Sequence, residues 1–241
     1  MPANFNSPSR VRPAIIFHMT APTAAQLARL IDFPLHRPDA TAKDVEQHCA
    51  IARQHHFAAV AVNSSYVVHA RHFLEDSDVK VVAAIGFPLG GVDGDTKRYE
   101  TEVAVDNGAQ EIDVVMNIGR LKDGDDKYIL RELRDVAEAA DERIVKVIIE
   151  ACLLTRDEKF RACQIILDSG AHFVKTSTGH SIGGATVDDI KLLREAVGPD
   201  FGVKASGGIR DYATAIALIE AGANRLGTSS AVEILKAAAG P

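Results

Sequence analysis

Lys175 and Lys204 are the side chains best suited, by type and surroundings, to covalent chemistry. Each interrupts a short apolar segment, His172-Phe-Val-Lys-Thr176 and Gly202-Val-Lys-Ala-Ser206. Each segment runs into glycine: Ser177-Thr-Gly179 after the first, Gly207-Gly208 after the second. An ammonium drawn into a packed interior is costly to keep charged, so its pKa falls, and a second ammonium nearby lowers it further. A lysine that is partly neutral near pH 7 is a nucleophile toward carbonyl carbon. The adjacent glycines leave room for a phosphate. The pattern points to Schiff-base chemistry on a phosphorylated sugar.

Asp113 is the acid/base candidate beside them. In Gln110-Glu-Ile-Asp-Val-Val-Met116, strand alternation places it on one face with Glu111 and Val115, opposite Ile112 and Val114. An inward carboxylate near two lysines can accept and return protons during carbinolamine formation and C–C cleavage. The plainer alternative makes each lysine a strand-end cation paired with a carboxylate such as Asp113 or Glu150. Two lysines on adjacent strands, each leading into a glycine-rich turn, favour chemistry.

These residues need a scaffold, and the chain supplies an even alternation of apolar and amphipathic segments. Strands are predicted at Leu30–Asp32, Ala58–Asn63, Val79–Gly86, Glu111–Met116, Val145–Glu150, His172–Thr176, Gly202–Ser206 and Asn224–Gly227. Their continuous apolar runs indicate strands buried on both faces, as in a parallel sheet. Helices are predicted between them at Ala42–His55, Ser65–Glu75, Thr96–Asn107, Lys127–Ala140, Arg156–Ser169, Val187–Ala196, Tyr212–Ala221 and Ala231–Ala238. Thr41, Thr155, Thr186 and Ser230 each precede an acid by three residues, which predicts capping boxes. Gly108, Gly170 and Gly222 punctuate helix ends. Eight strand–helix units without linkers close most simply into a single α/β domain, a (β/α)8 TIM barrel over residues 14–241. The competing doubly wound sheet usually carries an early glycine-rich turn, which is missing here.

In such a barrel, function sits at the C-terminal ends of the strands. The polar residues there are Asp32, Asn63, Asp113, Asn117, Lys146, Glu150, Lys175, Thr176, Lys204 and Ser206. Three glycine-rich stretches follow strands six, seven and eight, and the last two are expected to open helices. Backbone N–H groups there, with Arg210, Ser229 and Ser230, are phosphate candidates.

Composition narrows the class. The 241 residues are 46% hydrophobic and 25% charged, with a formal net charge of -6. A nucleic-acid partner is not expected. Cys49, Cys152 and Cys163 lie far apart, which suits free thiols in a reducing cytoplasm. Residues 1–13 carry three prolines and no apolar stretch, so a flexible arm is expected there. No apolar run is long enough for a membrane span. None of the nine histidines forms His-x-x-x-His or His-Glu-x-x-His. His18, His36, His48, His69 and His72 lack metal spacing, so neither a metal nor a cofactor is expected.

The motifs together resemble the 2-deoxyribose-5-phosphate aldolase family of class I aldolases. The resemblance covers Leu30 to about Leu235. It rests on Pro38-Asp-Ala-Thr41, Gly86-Phe-Pro-Leu-Gly90, Glu111-Ile-Asp-Val-Val-Met-Asn117, Lys146-Val-Ile-Ile-Glu150, Cys152-Leu-Leu-Thr155, Phe173-Val-Lys-Thr-Ser-Thr-Gly179, Lys204-Ala-Ser-Gly-Gly-Ile-Arg210 and Arg225-Leu-Gly-Thr-Ser-Ser230. It implies that Lys175 forms the Schiff base, Lys204 perturbs it and relays protons, and Asp113 is the acid/base residue. It implies phosphate contacts at Gly179, Gly207, Gly208, Gly227, Ser229 and Ser230. Asp32, Lys146 and Thr176 join these as expected substrate-binding residues. The implied partners are a small phosphorylated sugar and acetaldehyde, with a homodimer as the expected assembly. The first-strand motif departs from the family: Phe33 and Pro34 stand where a His-Thr pair is common, removing a hydroxyl near the substrate. Ala61-Val-Asn-Ser64 replaces a Cys-Val-Asn-Pro, and Ala237-Ala-Ala-Gly-Pro241 carries no tyrosine. These differences are expected to alter substrate preference and proton transfer rather than the lysine chemistry. A Schiff-base aldolase for another phosphorylated sugar and a non-catalytic sugar-phosphate sensor are the alternatives.

Overall fold

The computed structural model describes residues 22–239. The arm expected over residues 1–13 lies outside the described residues. Eight parallel strands form a closed barrel in sequence order. They are β1 (Ile31–Leu35), β2 (Ala59–Asn63), β3 (Lys80–Ile85), β4 (Glu111–Val115), β5 (Ile144–Ile148), β6 (Phe173–Lys175), β7 (Gly202–Ser206) and β8 (Arg225–Gly227). Among the described residues, ten α-helices accompany them: α1 (Ala24–Ala28), α2 (Ala42–His55), α3 (Val67–Phe73), α4 (Gly94–Asp106), α5 (Ile118–Lys122), α6 (Asp126–Ala139), α7 (Arg156–Leu167), α8 (Val187–Val197), α9 (Tyr212–Glu220) and α10 (Ala231–Ala238). The eight-unit reading of the sequence is therefore the architecture found.

Two kinds of interior follow from strand alternation. Outward residues such as Val60, Val81, Ile112, Val114, Val147, Val174 and Val203 pack under the helices in the main apolar core. Inside the barrel, Ala59, Ala61 and Val82 form a separate small cluster. The rest of the inner wall is largely charged, because register aligns Asp113 with Lys146, and Lys175 with Lys204 and then Arg225. Phe173 closes the lower end. A Cβ on Gly202 would lie 2.3 Å from its ring, so the neighbouring strand must carry glycine there. Behind β4, Lys97 of α4 and Glu132 of α6 form a buried ion pair at 2.8 Å, and Lys97 also donates to the Val115 carbonyl at 2.8 Å.

Local signals are met unevenly. Thr41 with Asp44 and Thr155 with Glu158 form reciprocal capping boxes. Thr186 caps the Asp189 amide, but the Asp189 carboxylate turns to Lys159 and the Thr186 hydroxyl, so the box is one-sided. Ser230 makes no side-chain cap bond, so the box expected with Glu233 is absent. Gly108, Gly170 and Gly222 all take positive φ, as helix-ending glycines do. The helix expected from Ser65 starts as a 3-10 turn, Ser64–Tyr66, before α3. The five-residue helices α1 and α5 were too short for a periodic signal. Asn117, read as a strand-end residue, is the N-cap of α5.

Candidate active site

Strands β4 to β8 and β1 bring seven charged side chains into one buried cluster. Asp113 is its centre. One of its oxygens accepts from Lys146 at 2.9 Å; the other accepts from Lys175 at 2.8 Å and Lys204 at 2.7 Å. Lys204 also donates to Asp32. Lys146 reaches Glu111 at 2.7 Å, and Arg225 bridges Glu111 at 2.8 Å and Asp32 at 3.3 Å. Asp113 has no exposed surface and Lys175 only 3%.

The cluster holds four cationic side chains and three carboxylates. Deprotonating Lys175 leaves Lys146, Lys204 and Arg225 against Asp32, Glu111 and Asp113, which is neutral. Burial of unpaired charge is expensive, so this composition favours releasing one proton. Lys175 follows that logic. Its pKa falls to about 8, chiefly through burial; Asp113 pulls it upward and Lys204 pushes it down again. Lys146, one layer deeper, goes the other way. Burial works against its charge, but Asp113 and Glu111 outweigh it and hold the pKa above the ordinary lysine value. Two lysines on one carboxylate thus differ because only Lys146 has a second close carboxylate. Burial would raise the Asp113 pKa, but Lys146, Lys175 and Lys204 hold it well below the usual range.

The glycine-rich stretches expected to bind phosphate do converge. Gly179, Gly207 and Gly208 have φ of +82°, +89° and +76°. A Cβ on Gly207 would lie 3.4 Å from the Gly179 Cα, and one on Gly184 would lie 2.3 Å from the Gly207 carbonyl oxygen. The loops after β6 and β7 therefore touch backbone to backbone. Gly227 sits beside them, where a Cβ would meet the Ser206 hydroxyl at 2.6 Å. Ser229 is exposed and Ser230 half-buried at the start of α10. The start of α9 differs from the sequence expectation. Asp211 caps it and accepts from the Thr214 amide at 2.8 Å, so that helix end already faces a carboxylate.

Thr176 has a bonding role between strands. Its hydroxyl donates to the Ser206 carbonyl at 3.1 Å and accepts from the Ser206 amide at 3.0 Å, tying the two lysine strands together. Glu150 is not a lysine partner. It takes the left-handed conformation, φ +46°, and its carboxylate accepts from the Thr178 amide and hydroxyl at 3.2 and 2.5 Å. A non-glycine residue held at positive φ marks a position fixed by its surroundings; here it pins the loop after β6.

Sequence reading gave no role to Arg225 or Glu111, although both are polar interruptions of apolar strands. His36, Phe87 and His180, which line the mouth, were also missed. The buried Ser177 hydroxyl, beside Gly207 and without a hydrogen-bond partner among the described residues, was another. A small crevice between α4 and α6, lined by Asp93, Asp95, Tyr128 and Arg131 among others, opens on the outer wall and not on the lysines.

Known proteins are similar to this chain in sequence and in fold. Residues 31–237 match the model of the DeoC/LacD family aldolases. A deoxyribose-phosphate aldolase of Alkaliphilus oremlandii is 53% identical over 210 residues, covering 87% of this chain and 95% of that protein. One from Streptococcus pneumoniae is 52% identical over 211 residues, covering 88% and 96%. Among solved structures, a tetrameric deoxyribose phosphate aldolase from Aeropyrum pernix superposes with a TM-score of 0.84 at 33% identity, covering 89% of this chain and 92% of that one. An aldolase called QR15 gives a TM-score of 0.84 at 36% identity, covering 88% and 95%. With a closed eight-stranded barrel, a carboxylate shared by three lysines at its core and this degree of relatedness, the chain is an aldolase belonging to the DeoC/LacD family.

Proposed function

We propose that this aldolase works through a Schiff base on Lys175 and cleaves 2-deoxy-D-ribose 5-phosphate to D-glyceraldehyde 3-phosphate and acetaldehyde. The observation that carries the reading is Lys175 itself: a sealed amine with a pKa near 8, hydrogen-bonded to a carboxylate that a second lysine also contacts. Its neutral amine attacks the C1 aldehyde of the open-chain sugar. The carbinolamine loses water and leaves an iminium, which is the electron sink. Asp113, with Lys204 and a water, takes the proton from the C3 hydroxyl. The C2–C3 bond breaks, its electrons pass into the C1–C2 enamine, and C3 leaves as the aldehyde of glyceraldehyde 3-phosphate. Protonation at C2 and hydrolysis then free acetaldehyde and the lysine.

Gly179, Gly207, Gly208, Gly227, Ser229 and Ser230 are the proposed phosphate cradle, supported by the contact between their loops. Asp32 and Lys146 orient the two working groups from below, and Thr176 holds β6 to β7. The reaction needs no metal: the buried carboxylates already face four cations, which would repel a divalent ion. Breakdown of deoxyribose phosphate in the cytoplasm, by a homo-oligomer, completes the proposal. The free cysteines suit a reducing compartment.

Borohydride reduction in the presence of acetaldehyde tests this reading. One ethyl group should appear on the peptide carrying Lys175. Labelling on Lys204 instead, or none at all, would overturn it.

A further inference from the structure

Three rings from three loops line up across the barrel mouth. His36 follows β1, Phe87 follows β3 and His180 lies in the loop after β6. The His36 and Phe87 centroids are 4.5 Å apart, and Phe87 meets His180 edge-on at 5.1 Å. Within this row His36 is the anomaly. Both of its ring nitrogens are sealed from solvent and have no hydrogen-bond partner among the described residues. Two other histidines differ: His48 meets the Phe33 carbonyl at 3.3 Å, and His180 meets the Thr178 carbonyl at 3.3 Å. Buried polar atoms without partners are rare in folded proteins and each calls for an explanation; at a site mouth a group of the substrate can supply it.

Strand alternation places His36 on the side of Asp32 and Pro34, toward the barrel interior. Pro34 offers no donor there. The surroundings of His36 are those of the reacting groups: Lys175, Asp113 and Lys204 all act on it electrostatically, along with His180. Burial, reinforced by Lys175, lowers its pKa to about 3. The imidazole is therefore neutral, with one N–H donor and one bare acceptor nitrogen. A hydroxyl can serve either nitrogen. A phosphate serves only the N–H, and an apolar group serves neither.

We propose that His36 is a specificity-determining residue that hydrogen-bonds the C4 hydroxyl of the sugar, the hydroxyl that stays on the aldehyde fragment beside its phosphate-bearing carbon. The inference rests on the Schiff-base reading above. That reading commits the other polar groups: C1 is bound to Lys175, the C3 hydroxyl gives its proton to the Asp113–Lys204 pair, and the phosphate lies in the glycine cradle. The C4 hydroxyl is the group left over, and His36 is the side chain of the mouth's ring row whose two ring nitrogens both lack partners among the described residues. Phe87 against the imidazole fixes its plane. A neutral imidazole also suits a group that must be held and not deprotonated.

The test runs the reaction in the condensation direction, with acetaldehyde as donor. The acceptors are glyceraldehyde 3-phosphate and 3-oxopropyl phosphate, which is the same aldehyde without the hydroxyl. The readout is the ratio of kcat/KM for the two. The wild type should favour the hydroxylated acceptor. His36→Leu should lower that ratio roughly tenfold or more, and His36→Asn, which keeps a donor and an acceptor, should retain part of it. Borohydride trapping of acetaldehyde on each variant registers whether Lys175 is still in place. An unchanged ratio in His36→Leu overturns the proposal. So does an equal collapse in both variants, which would mean a role in shape alone. Failure of the wild type to trap acetaldehyde on Lys175 is a different result, and it removes the Schiff-base reading together with this one.

Discussion

Replacing Lys204 with leucine tests the electrostatics of the cluster most directly. In the wild type, Lys175 with a pKa near 8 is about one-tenth neutral at pH 7. Two effects of the substitution push that pKa the same way. The repulsion from Lys204 disappears. One oxygen of Asp113, now contacted by Lys204 at 2.7 Å and Lys175 at 2.8 Å, is left to Lys175 alone. Burial, the largest cause of the depression, remains, so the pKa should stop short of the ordinary 10.5. A rise of about one unit reduces the neutral fraction at pH 7 roughly tenfold. The assay is the rate of borohydride trapping with acetaldehyde between pH 6 and 10. The wild-type rate should climb with pH and level off above 8. The variant should be about tenfold slower at pH 7, recovering much of its rate near pH 10. Lys175→Leu should not trap at any pH. A Lys204→Leu variant that traps as fast as wild type at pH 7, with the same midpoint, would refute the charge coupling and leave Lys204 a role only in later proton transfers.

Other expectations concern the cradle, the metal and the scaffold. Ser229→Asp puts a carboxylate at the proposed phosphate site and should raise KM for deoxyribose 5-phosphate far more than for unphosphorylated deoxyribose; equal losses would move the phosphate elsewhere. Exhaustive chelation should leave turnover intact, and loss of activity with rescue by added Zn²⁺ would replace the Schiff-base mechanism with a metal-assisted one. Lys97→Met strands the buried carboxylate of Glu132 and should lower unfolding free energy in urea by about 3–5 kcal/mol. The double variant with Glu132→Leu should recover most of that, and a Lys97→Met protein as stable as wild type would show that the pair is not needed for folding.

The sequence displays the barrel because its strands are apolar almost without interruption, and the interruptions are the site. Lys175, Lys204 and Asp113 are conspicuous for that reason. Glu111 and Arg225 interrupt strands just as plainly, yet alternation alone does not say which face of a barrel strand is inside. Only the register, which sets Lys204 beside Arg225, shows that they belong to the same cluster. Capping boxes were legible at Thr41 and Thr155, and they form in full although Arg37 and Lys122 also reach the acids. At Thr186 the helix starts where expected, and only the return bond is missing, the Asp189 carboxylate bonding Lys159 and the Thr186 hydroxyl instead of the Thr186 amide. His36 was harder still. Its chemistry lies in what it does not touch, and a row of rings assembled from the loops after β1, β3 and β6 leaves no spacing to read.

The barrel wall is also uneven around its circumference. β2 and β3 are matched over five residue pairs, and so are β4 and β5, whereas β1 and β8 close the ring over only two. Asp113 and Lys146 thus stand in a stiff arc. Gly227 stands at the seam, opposite Asp32, where few ladder bonds resist opening and local fluctuation is easiest. The barrel is in this sense mechanically divided: Asp113 and Lys146 are set in the rigid arc, whereas Lys204, Asp32 and the proposed phosphate cradle lie toward the compliant seam. Such a division would let the proposed cradle yield as a charged product leaves while the Asp113–Lys146 pair stays fixed.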